Sequence, residues 1–128
     1  MYKYFIPGEL KCRCGVCKSN GTEMDIGFMT ALEELREMCK FPFVLTSAFR
    51  CPSHNNTVST TGYKGPHTTG KAVDISADGK QAFILLENIF KQGAFKRIGI
   101  NRKKGSGFIH VDSLTAEEGF PIEIVWTY

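Results

Sequence analysis

The chain has 128 residues, of which 42% are hydrophobic, enough apolar material for one core and too little length for a second domain. Its formal net charge of +3 at pH 7 is too small to argue for nucleic acid, and no apolar run is long enough to span a bilayer. The start, Met1-Tyr2-Lys3-Tyr4-Phe5-Ile6-Pro7, lacks the long apolar centre of a secretory leader. The expectation is a monomer made in the cytoplasm, touching neither nucleic acid nor membrane, that leaves only by a route it does not encode.

Along the chain, residues 1–21 read as a cysteine-containing N-terminal arm. Cys12, Cys14 and Cys17 form a Cys-x-Cys-x-x-Cys cluster, while Cys39 and Cys51 stand alone. Three readings are open: a structural metal held by the cluster with Cys51 or Cys39, disulfides within part of the set, or reduced thiols behaving as small apolar residues. Thr22 then reads as a helix N-cap with Asp25 in the first turn. Phe28, Met29, Leu32, Leu35, Met38 and Cys39 recur at helical spacing, and the helix ends before Phe41-Pro42 because proline disfavours a helical residue ahead of it. Phe43-Val44-Leu45-Thr46 reads as a strand. The stretch from Cys51 to Gly65, rich in Pro, Ser, Asn, Thr and Gly, reads as a long polar loop.

Ala72 to Ser76 is the next predicted strand, and a second helix is predicted from about Lys80 to Gln92, with Asp78 near its cap and Gly93 ending it. Its apolar residues are Ala82, Phe83, Leu85, Leu86, Ile89 and Phe90. Three strands follow, Arg97 to Asn101, Phe108 to Asp112 and Ile122 to Thr127, the first two joined by the basic hairpin loop Arg102-Lys103-Lys104-Gly105-Ser106-Gly107. Helices early and strands late predict a single α+β domain over 1–128, with a mainly antiparallel sheet packed against two principal helices.

The chemistry concentrates in Gly65-Pro66-His67-Thr68-Thr69-Gly70-Lys71-Ala72-Val73-Asp74-Ile75 and in Phe108-Ile109-His110-Val111-Asp112. Asp74 lies between Val73 and Ile75, and His110 between Ile109 and Val111. Polar groups inside apolar runs are costly unless something pairs with them. On alternating strands they leave in a fixed direction, and Asp112 leaves on the same face as His110. Two imidazoles and one carboxylate form a zinc set with a position left for water, and Gly70 lets the chain turn tightly enough for His67 and Asp74 to converge. Each residue alone has a plainer reading: His67 as a surface histidine, Asp74 as a turn cap, His110 as a satisfied core histidine. His54 reads as structural or substrate-contacting, Arg102 to Lys104 as a solvated loop or an attractor of an anionic polymer, and Trp126 and Tyr128 as packing residues or, at a cleft rim, as aromatics that stack on sugar.

His-x-x-Gly-x-Ala-x-Asp followed by an apolar His-x-Asp strand resembles the D-Ala-D-Ala metallocarboxypeptidase family, the cell-wall zinc peptidases that include phage endolysins. The likeness extends to Pro7-Gly8-Glu9-Leu10-Lys11-Cys12-x-Cys14-Gly15, which matches the small single-domain branch, and to Leu32-Glu33-Glu34-Leu35-Arg36. It extends further to Thr46-Ser47-Ala48-Phe49-Arg50-Cys51-Pro52, Asn55 and Ile98-Gly99-Ile100. The resemblance implies that His67, Asp74 and His110 bind Zn2+ at the sheet face. It also implies that Arg50 faces substrate, holding a carboxylate or polarising the scissile carbonyl, with Ser47 and Asn55 beside it.

Two positions depart from the family pattern. Gly65 stands where many members carry serine, and Gly107 stands where several carry an acidic base three residues before the last histidine. Asp112 is the expected substitute base, on its position next to His110. The implied function is hydrolysis of peptidoglycan peptide bonds, as a D-Ala-D-Ala carboxypeptidase or a stem or crosslink endopeptidase, in a phage or bacterial setting that acts on the cell wall. The alternatives are an inactive metal-containing module that binds wall peptides or protein, and a metal-dependent nuclease, which the weak charge disfavours.

Overall fold

The computed structural model describes residues 2–128, so the first residue of the expected arm lies outside the described residues. The elements run α1 (Pro7–Leu10), α2 (Ile26–Cys39), β1 (Leu45–Ser47), α3 (Pro52–Val58), β2 (Ala72–Ser76), α4 (Gly79–Gln92), β3 (Arg97–Asn101), β4 (Phe108–Asp112) and β5 (Ile124–Thr127), with short 3-10 turns between them. The strands form one sheet in the order β1-β2-β4-β3-β5. Every pairing is antiparallel except β3 with β5. The α+β class and mainly antiparallel sheet are therefore as the sequence pattern implies.

Period-two alternation gives this sheet two different faces. Leu45, Val73, Ile75, Ile98, Ile109 and Val111 join one core cluster with Phe28, Met29, Leu32 and Leu35 of α2 and Leu85 and Ile89 of α4. Each fully buried side chain of this size contributes about 1.5–3 kcal/mol of hydrophobic stabilisation. Phe28 also meets Phe95 with ring centroids 5.3 Å apart, and Gln92 Nε2 donates to the Ala31 carbonyl, tying α4 to α2. Phe83 and Phe90 of α4 are exposed rather than in the core. The opposite face of the sheet carries Asp74, His110, Asp112 and Arg97.

Several boundaries differ from the sequence pattern for local reasons. Asp25, not Thr22, caps α2: its carboxylate accepts from the Phe28 N–H at 2.8 Å. Thr22 instead donates its hydroxyl hydrogen to Asn20 Oδ1. The predicted polar loop contains α3, started by Pro52 in its first turn and by Cys51, whose sulfur accepts from the His54 N–H. β1 begins at Leu45, two residues later than predicted, and β5 at Ile124.

Gly70 is one place where the backbone demands glycine. It sits at φ +76°, and its carbonyl accepts from the Asp25 N–H at 2.9 Å. A Cβ there would run into the Glu23 carbonyl oxygen. Gly70→Ala is therefore expected to destabilise the fold by about 1–3 kcal/mol through backbone strain, read as a lower urea midpoint. An unchanged midpoint would mean that the turn between His67 and β2 relaxes freely.

Candidate active site

Asp74 and His110 are cross-strand partners in the β2–β4 register, so their side chains leave the sheet side by side. His67 approaches from the 3-10 turn Pro66–Thr69 that precedes β2, which Gly70 folds back onto the strand. One ligand atom from each of His67, Asp74 and His110 lies within 4.8 Å of the others, and all three residues are buried. The structure thus brings together the three residues that the spacing singled out.

Outer contacts decide which atoms face inward. The Ala48 carbonyl can only accept, so His67 donates its Nδ1–H there at 2.7 Å and turns Nε2 toward Asp74 Oδ1, 3.2 Å away. Asp112 Oδ2 lies 2.7 Å from His110 Nε2, leaving His110 Nδ1 to face the same Asp74 oxygen at 2.9 Å. Burial pushes the Asp74 carboxyl upward, but hydrogen bonds from His110 and His67 outweigh it and hold the group well below the usual carboxylate range. For His110, burial pushes downward, and hydrogen bonds to Asp112 and then Asp74 raise it overall.

Asp112 does not take the place expected of a base. It is completely buried. Besides His110, it accepts from Arg97 Nε at 2.8 Å and from the Leu114 N–H at 3.2 Å. Both of its oxygens are engaged within the protein, and it is absent from the lining of the cleft. Its position is that of a carboxylate orienting an imidazole from behind.

Arg97, which the sequence pattern did not single out, is the buried partner of Asp112. It pairs with Asp112 across β3 and β4, donates Nη1–H to the Pro121 carbonyl at 2.7 Å, and stacks under Phe120 and Trp126 at 5.0 and 5.1 Å. The sequence shows only an arginine opening a short strand, Arg97-Ile98-Gly99-Ile100-Asn101; its burial depends on the sheet. Trp126 then covers His110, with ring centroids 5.2 Å apart. It lies directly over Gly99, where any Cβ would strike the indole.

Arg50 follows β1 and enters the site beside Asp74, with Nη2 3.6 Å from Asp74 Oδ2. Its backbone N–H donates to the His67 carbonyl. Asn55 was expected to touch substrate, yet it is fully buried. Its Oδ1 accepts from Arg50 Nη1 at 3.0 Å, and its amide nitrogen donates to Thr61 Oγ1 at 2.9 Å. Asn55 therefore braces the arginine instead. Ser47 does line the cleft, as do Arg50, Trp126 and Tyr128. His54 sits on α3 beside a smaller hollow that it shares with Arg13 and Arg50.

The cleft above the His67–Asp74–His110 group encloses about 1040 Å3, room for a peptide segment. The donor set fits a zinc ion: two imidazole nitrogens with their other ring nitrogens engaged, one ionised carboxylate, and an open side toward the cleft. Among curated proteins, none matches the chain. A family model for peptidase M15 matches residues 3–112, a span that includes all three of these residues, and the chain belongs to this family, the D-Ala-D-Ala carboxypeptidase group of metallopeptidases.

Proposed function

We propose that this protein hydrolyses peptide bonds in the stem peptides or crosslinks of peptidoglycan, with His67, Asp74 and His110 holding a catalytic Zn2+. The observation that carries the reading is the convergence of His67 Nε2, Asp74 Oδ1 and His110 Nδ1 on the floor of an open cleft. Zinc bound there would supply a Lewis acid for the scissile carbonyl and a water acidified toward a pKa of about 7.

The chain's own residues do the rest. The Ala48 carbonyl and Asp112 fix the two imidazoles in the tautomers that ligation needs. Arg97 holds Asp112 in place. Arg50, held by Asn55, presents its planar fork to the cleft, where it can bind a substrate carboxylate or a developing oxyanion. Trp126, Phe108, Phe120 and Tyr128 form an apolar wall that limits water on the β5 side.

Digestion of purified peptidoglycan by zinc-loaded protein, followed by mass analysis, tests this reading. The expected result is a defined set of peptide fragments that disappears with chelator and returns with added zinc. Fragments that persist undiminished after complete metal removal would overturn it. A second reading, a module that binds wall peptides without cutting them, is favoured by one feature: among the described residues, Asp74 has the sole acidic side chain lining the cleft. Zinc-dependent retention on peptidoglycan with no fragments released would select that reading.

A further inference from the structure

A second group of metal-ligand side chains lies outside the cleft. Cys12, Cys14 and Cys17 of the N-terminal arm meet Cys51, which caps α3, with all four sulfurs within 4.8 Å of one another. Cys39 is buried elsewhere, against α4. The sequence left open which isolated cysteine would join the cluster; the structure brings in Cys51.

We propose that Cys12, Cys14, Cys17 and Cys51 bind a structural zinc ion in a closed four-thiolate site that fastens the N-terminal arm to the corner carrying Arg50. Three observations support it. A tetrahedral zinc site with Zn–S bonds of about 2.3 Å requires sulfur–sulfur edges of about 3.8 Å, and Cys14 Sγ lies 4.0 Å from Cys51 Sγ. Backbone N–H groups already point at the sulfurs: Val16 and Cys17 toward Cys14 at 3.5 and 3.3 Å, Cys51 toward Cys12 at 3.2 Å, and His54 toward Cys51 at 3.4 Å. Such donors are placed to hydrogen-bond metal-bound sulfur and orient it. The Cys14-Gly15-Val16-Cys17 turn, with Gly15 at φ +76°, aims both of its sulfurs to one side.

The arm needs such a tie. Between α1 and α2 it has no regular helix or strand, and its buried apolar side chains in that stretch are Cys12 and Met24. Four sulfurs around one soft-ligand ion would supply folding free energy that so small an apolar surface does not. Four thiolates select zinc over calcium or magnesium. Each thiol would release its proton to solvent on binding. The ion would also stiffen the site at a distance, because Cys51 follows Arg50 directly and the Phe49 N–H donates to the Leu10 carbonyl.

The test uses metal content and spectra of the whole chain, so it stands apart from any peptidase assay. The His67→Ala/His110→Ala variant removes the cleft site and leaves all cysteines. Loaded with Co2+ alone, it is expected to bind one ion per chain with sulfur-to-cobalt charge-transfer absorption and intense tetrahedral visible bands. In the unmutated protein loaded with zinc, four thiols should resist alkylation and become reactive when chelator is added. Cys14→Ser/Cys17→Ser should lose one ion per chain and the thiolate spectrum. Because the cobalt and alkylation measurements keep all four sulfurs, the proposal does not depend on that variant folding. Cobalt bound without thiolate absorption, thiols freely alkylated in the presence of zinc, or a mass deficit showing disulfides in the purified protein would each overturn it.

Discussion

Asp74→Ala should abolish both peptide release from peptidoglycan and metal binding in the cleft. Asp74 supplies the carboxylate of the group, and its Oδ1 faces both inward imidazole nitrogens, His67 Nε2 at 3.2 Å and His110 Nδ1 at 2.9 Å. Without it, two neutral rings would have to hold a dication in a buried pocket, with Arg50 beside them and its nearest counter-charge gone. Loss of an outer partner of a metal site costs roughly 10–100-fold in affinity or activity; loss of the charged ligand itself should exceed that range. Metal content of the purified variant and mass analysis of digested peptidoglycan read the two losses separately. A variant that kept both the cleft metal and the fragments would remove Asp74 from the ligand set.

Asp112→Asn should lower activity by roughly 10–100-fold, and excess zinc should restore much of it. The carboxylate never reaches the cleft; it accepts from His110 Nε2 and from Arg97. Asparagine keeps the volume but loses the charge that fixes the imidazole and balances the arginine. The deficit should therefore fall mainly on metal affinity. A base acting on water would give the opposite pattern: full metal content, a collapse in kcat and no rescue by zinc. Asp112→Ala should be worse than Asp112→Asn for a different reason: it also leaves Arg97 Nε, His110 Nε2 and the Leu114 N–H without an acceptor, and each unsatisfied buried group costs about 1–3 kcal/mol. Thermal unfolding of the two variants separates this folding cost from the catalytic one.

The two strands that carry chemistry were legible because their polar residues interrupt clean apolar alternation. Val73-Asp74-Ile75 and Ile109-His110-Val111 each specify a strand and a polar face at once. α4 was legible because Asp78 and Gly93 bracket a strongly periodic run. What stayed hidden depended on contacts between distant parts of the chain. α3 is short and polar, and it is stabilised by a cysteine cap and by Asn55 reaching Thr61 and Arg50, so it carries no apolar stripe to read. The role of Asp112 turned on the register of β3 with β4, which places Arg97 opposite it. Proximity to His110 was visible in the sequence; the arginine that immobilises the carboxylate was not. Trp126 likewise reached His110 only because β5 joins the sheet in parallel beside β3 with glycine at the crossing point.

The two-faced sheet has a consequence for how this protein can change. Along β4, Ile109 and Val111 belong to the core while His110 and Asp112 belong to the cleft. Neighbouring positions thus answer to separate demands, and a substitution on one side can be absorbed by repacking without disturbing the other. Single-residue insertions or deletions within β2 or β4 have no such refuge, because they exchange the two sides and place imidazole and carboxylate among leucines. Variation compatible with folding is therefore channelled into side-chain replacement inside these strands. Changes of length are left to the connections, such as the exposed Arg102–Ser106 loop, whose tip can lengthen while the register that joins fold and chemistry stays fixed.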